Sequence, residues 1–184
     1  MKIFAEGRSR VLSAAALVLA GLCGAMTALT IYDLVTFARL ASTSAFSLFM
    51  SRATVPVVMP PLAAFAAERP GPLFLLAALL WLSGFAFALG VWRRAEWARR
   101  GAAAMLYLLS AAAGLVMLFP SLIVPAPLIY DGVAVAPEFN AVVKTVAFFL
   151  RAAGAAGGGL CFWCARALDR AALKAEFKAT EKTP

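Results

Sequence analysis

Apolar residues in this chain come in long unbroken runs rather than in the half-polar periodic patterns of a water-soluble fold. No charge interrupts the 22 residues between Arg10 and Asp33, or the 23 between Arg69 and Arg93. A third run opens at Gly101 and reaches Phe119, where Pro120, Pro125 and Pro127 each remove an amide donor and restrict the preceding residue. The fourth extends from Ala141 to Ala165 and carries Lys144 and Arg151 within it. A hydrocarbon layer of about 30 Å needs roughly 20 apolar residues at about 1.5 Å per residue. The pattern therefore predicts an all-α membrane protein, a four-helix transmembrane bundle forming one domain over residues 1–184, with spans near 11–32, 71–92, 101–119 and 141–165.

The connections differ in kind. Only a short turn, Trp92 to Arg100, joins the second and third spans, so these form an antiparallel hairpin. The first outer loop, residues 33–70, is long and partly helical: Thr36, Arg39, Thr43, Ser47 and Ser51 recur every three or four residues, while Phe37, Leu40, Leu48, Phe49 and Met50 fill other faces. This segment either lies along the outer membrane surface or continues the first span out of the bilayer. Val55-Pro56 and Met59-Pro60-Pro61 then break it. The second outer loop, 120–140, has a Tyr130-Asp131-Gly132 turn signal and enough apolar residues to cap the first. Residues 166–184 read as a helical tail with Arg166, Arg170, Lys174 and Lys178 on one stripe and Leu168, Leu173 and Phe177 as apolar surface.

Composition agrees with lipid as the solvent, at 64% hydrophobic and 14% charged side chains and a mean hydropathy of +0.89. The net charge of +8 would suit nucleic acid, but its distribution argues against that partner. Residues 1–10, the Arg93–Arg100 turn and the tail hold 12 of the 17 basic residues with five acids, whereas the outer loops with Lys144 balance to zero. Because Lys and Arg stay on the cytoplasmic side during insertion, both termini are expected there, facing an anionic inner leaflet. Alanine- and arginine-rich usage points to a bacterial inner membrane. The first span is not expected to be cleaved, since no A-x-A triplet ends it, and Leu22 before Cys23 does not fit a lipoprotein signal.

Arg151 is the sharpest anomaly, because an arginine near a span centre costs about 2.5 to 3.5 kcal/mol. Lys144 lies seven residues earlier on the same helix face. The two form either a cationic track for an anionic lipid or solute, partnered by Asp33, Glu68 or carbonyls near Pro120, or a snorkelling arginine with a structural role. Gly154, Gly157, Gly158 and Gly159 lie in a run of small residues suited to close helix packing, against the alanine-rich first span or a second copy. Cys161 and Cys164 match the CxxC spacing of thiol oxidoreductases, but at the expected cytoplasmic end of a span they read as an inert pair. The chain has no histidine, and no metal-ligand cluster or nucleophile–base pair replaces it, so no cofactor is expected. The resulting expectation is a non-enzymatic multi-pass subunit or scaffold that packs on another membrane protein or a copy of itself. Binding or transport of an anion along Lys144 and Arg151 is the alternative, and thiol chemistry a remote one.

Overall fold

The computed structural model describes residues 10–46, 48, 59–130, 133–134 and 136–181. Among these, four helices are long and apolar enough to cross a membrane: α1 (Arg10–Ala41), α3 (Pro70–Trp92), α4 (Glu96–Leu118) and α5 (Pro137–Leu168). Between them stand α2 (Pro61–Glu68), a 3-10 turn (Pro120–Leu122) and a ladder of two short strands, β1 (Ile129–Tyr130) and β2 (Val133–Ala134); α6 (Ala171–Glu181) ends the described chain. Among the described elements the β ladder alone is not helical. Its antiparallel register pairs Tyr130 with Val133, and Asp131 and Gly132 of the turn signal lie outside the described residues.

Helix ends follow local chemistry. Pro61, Pro70 and Pro137 open α2, α3 and α5, where a missing amide proton costs nothing. Glu96 and Glu138 place carboxylates in the first turns of α4 and α5, complementing the helix dipole. α4 stops before Pro120, as expected. Both α1 and α5 have 32 residues, about 48 Å at the helical rise, so each outruns a hydrocarbon layer of about 30 Å.

Residues 34–51 are helical in part among the described residues. The first helix does continue well past Asp33, to Ala41. Helix then restarts at Ser44, where the Thr43 hydroxyl accepts the Phe46 amide at 3.3 Å as an N-cap. Ser47, Phe49, Met50, Ser51 and Pro56 lie outside the described residues, as do residues 1–9 and the Lys178 side chain.

The chain divides into two compact units. Unit 1 comprises Met1–Ala38, Gly71–Leu108 and Cys161–Pro184. Here α1 lies beside α3, with Phe85 against Gly24 and the Cys23 sulfur against Gly84. α3 meets α4 closely: a Cβ on Gly90 would strike the Ala98 methyl, and one on Gly101 would strike the Phe87 ring. Tyr107 of α4 stacks edge-on to Phe162 of α5 at 5.9 Å. Its buried cluster is Ala16, Val91, Ala98 and Phe177.

Unit 2 comprises Arg39–Pro70 and Leu109–Leu160. In it α2 touches the 3-10 turn. Asn140, buried near the start of α5, accepts the Leu128 amide at 2.7 Å and donates to the Leu128 carbonyl at 3.0 Å, tying the proline-rich segment to the helix. Met59–Pro61, Ser121 and Val124–Ile129 line an open apolar groove of about 330 Å³.

Candidate functional site

The densest polar chemistry among the described residues lies in unit 1, where the α3–α4 turn meets the tail. α3 ends in a Schellman motif: the Ala95 amide donates to the Gly90 carbonyl (2.9 Å) and the Arg94 amide to the Val91 carbonyl (3.0 Å). That motif needs a left-handed residue, usually glycine, and here it is Arg94, with φ of 62°. An L-residue there costs about 1 kcal/mol. The Arg94 side chain offsets this cost.

Its guanidinium is buried, with the side chain 0% exposed. Nε donates to Oε1 of Glu176 on α6 at 2.8 Å, Nη1 to the Val91 carbonyl at 3.1 Å, and Nη2 to the Ser13 hydroxyl of α1 at 3.1 Å. The Phe177 ring, itself 0% exposed, lies 5.7 Å from the guanidinium carbon. One side chain thus joins α1, the hairpin turn and the tail.

Arg99 forms a second node. Its Nε and Nη2 make a bidentate pair with Glu96 (2.9 and 2.8 Å), while Nη1 reaches the Leu168 carbonyl and Oδ1 of Asp169, each at 3.1 Å. The Tyr107 hydroxyl donates to the other Asp169 oxygen at 3.3 Å, and Lys174 of α6 approaches Asp169 at 3.6 Å. Glu96 precedes the apolar stretch of α4. The hydrogen bond from Arg99, helped by Arg100, outweighs its desolvation and holds its carboxyl at about 2, well below the usual range. The same pairing raises the pKa of Arg99.

By sequence these arginines read as orientation signals and the tail as a basic stripe. The i+3 and i+4 spacing of Glu96 to Arg99 and Arg100 was readable in advance. Arg94–Glu176 and Arg99–Asp169 were not, since about 80 and 70 residues of chain separate the partners.

The fourth-helix glycines divide into two sets, all within unit 2. A Cβ on Gly154 would meet the Ala113 carbonyl at 3.0 Å and the Met117 Cβ at 3.2 Å; one on Gly158 would meet the Ala113 Cβ at 3.2 Å. The Ser110 hydroxyl donates to the Gly158 carbonyl at 2.9 Å. These two glycines therefore seat α5 on α4. A Cβ on Gly157 or Gly159 would meet nothing of a neighbouring element within 4 Å among the described residues.

Lys144 and Arg151 are exposed on α5, and neither makes a hydrogen bond or ion pair among the described residues. Glu68 is likewise exposed and does not partner Arg151. Cys161 and Cys164 are half-buried free thiols one helical turn apart, and Cys23 is a buried free thiol on α1. No group of three or more metal-ligating side chains occurs among the described residues. No protein-family model, curated protein or solved structure matches the chain.

Proposed function

We propose that this protein is a four-span component of a bacterial inner membrane, with both termini cytoplasmic, that acts as a helix-packing subunit or scaffold. The observation that carries the packing role is the division of the α5 glycines. Gly154 and Gly158 are used internally against α4, while Gly157, one turn after the exposed Ala153, lies on a flank of the same run where a Cβ would meet nothing within 4 Å among the described residues. In lipid, helices associate by close van der Waals contact at small residues, because apolar burial gives no drive there. An unoccupied small surface on a long apolar helix fits a further transmembrane helix.

The orientation rests on the Lys and Arg bias of the turn and the tail. Internal pairing of Glu96, Asp169 and Glu176 strengthens it, for Arg93, Arg166 and Arg170 remain exposed and make no ion pair among the described residues.

The discriminating experiment compares Gly157→Leu with Gly158→Leu in native-lipid discs. Gly157→Leu should leave the melting temperature unchanged and remove a crosslinked complex, whereas Gly158→Leu should lower the melting temperature. A wild-type chain that is monomeric and free of other polypeptides in such discs defeats the packing role. A reporter fused at the α3–α4 turn that reads as external defeats the orientation.

A further inference from the structure

We propose that Lys144 and Arg151 form a site for the phosphate of an anionic membrane phospholipid. The inference rests on α5 crossing the bilayer but not on the packing role, so the two can fail separately.

The inward side of α5 in unit 2 is marked by Asn140, Val143, Leu150, Gly154 and Gly158, all buried or half-buried. At about 100° per residue, Lys144 and Arg151 fall on one stripe at the margin of that face, two turns and about 10 Å apart along the axis. Both are exposed, and neither is spent on a partner among the described residues. The polar groups closest in sequence are already committed: the Thr145 hydroxyl donates to the Ala141 carbonyl at 2.9 Å, and Asn140 is held by Leu128. The described residues thus supply no counter-charge to either cation, and a lipid headgroup can.

The level along the helix suits a headgroup. Exposed Trp163 and Arg166 mark one interface near the end of α5. A hydrocarbon layer of about 30 Å, or about 20 residues, then places the other interface close to residue 146. That puts Lys144 among headgroups and Arg151 a little over one turn below. Side chains on a helix lean towards its N-terminus, so the arginine stem rises towards the lysine. Guanidinium forks bind phosphate oxygens in pairs, and an ammonium adds a point charge.

The surrounding surface selects a lipid over a free anion. Phe148 lies four residues after Lys144 and three before Arg151, on the neighbouring stripe of the helix, and is 66% exposed. It offers an acyl chain an apolar surface beside the charges. A zwitterionic lipid brings its own ammonium into the same space, so phosphatidylglycerol should be preferred to phosphatidylcholine.

The test is native mass spectrometry of detergent-purified protein titrated with phosphatidylglycerol or phosphatidylcholine, on wild type, Lys144→Gln, Arg151→Gln and Arg151→Lys. Wild type should retain phosphatidylglycerol preferentially, Arg151→Gln should weaken retention about tenfold, and Arg151→Lys should recover part of it. Excess inorganic phosphate should not displace the lipid. Unchanged melting temperatures of the variants establish that folding is intact. Equal retention by wild type and Arg151→Gln, equal retention of the two lipids, displacement by inorganic phosphate, or a polypeptide crosslinked through position 151 would each overturn the proposal.

Discussion

Glu176→Ala isolates the contribution of the buried Arg94 node. The substitution removes the carboxylate that accepts from Nε of the Arg94 guanidinium, whose side chain is 0% exposed, and leaves its bonds to the Val91 carbonyl and the Ser13 hydroxyl in place. Removing one partner from a buried ion pair costs about 3 to 5 kcal/mol, because the remaining charge stays desolvated. Glu176 is 16% exposed, so water can enter where its carboxylate stood. This places the cost near the lower bound, about 3 kcal/mol, or roughly a hundredfold in the opening equilibrium of α6.

Hydrogen exchange in detergent micelles reads this directly. Amides of Ala171–Glu181 should lose about two decades of protection, while those in the middle of α3 should keep theirs. Glu176→Gln retains an acceptor and should lose less. The double variant Arg94→Met, Glu176→Leu removes both charges and should regain most of the protection, since a buried pair is worth little against apolar replacements of similar size. If Glu176→Ala leaves α6 protected while Phe177→Ala exposes it, apolar docking alone holds the tail and the electrostatic reasoning is wrong.

Other outcomes follow from the same geometry. Arg94→Gly relieves the left-handed backbone by about 1 kcal/mol but abolishes the side-chain hydrogen bonds to Glu176, Val91 and Ser13, so the melting temperature in detergent should fall; a rise would mean the network contributes less than the strain. Gly90→Ala pushes a methyl into Ala98, and overpacking of that kind costs about 1 to 3 kcal/mol, measurable as a lower melting temperature that Ala98→Gly should partly restore. Glu96, with its folded pKa lowered to about 2 from 4.5, contributes stability that is fully present above pH 4.5 and lost as pH falls through about 2. Glu96→Gln should therefore melt earlier than wild type at pH 7, and the two curves should converge near pH 2; a gap independent of pH would show that the charge is not what matters.

The number and approximate places of the membrane-length helices were legible in the sequence, because hydropathy is a local, additive property and proline and charge punctuate it locally. Pro70, the Arg93–Arg94 pair, Pro120 and Pro137 fall at or beside helix ends in the structure, within a few residues of where the runs placed them. The lengths were less legible. α1 and α5 extend beyond their uncharged stretches because a helix needs only backbone hydrogen bonds to continue past Asp33 or through Lys144.

Which side of each helix meets which neighbour was decided only in three dimensions. A span such as α3, apolar on every side, carries no stripe to say what faces inward. Hence Gly154 and Gly158 could not be told from Gly157 and Gly159 until their neighbours were in place. The tail shows the same limit for charge. Arg94 and Glu176 look like solvated surface residues in one dimension, and only the close approach of Gly90 to Ala98, with Phe177 filling the space behind, buries the Arg94 guanidinium so that pairing becomes obligatory.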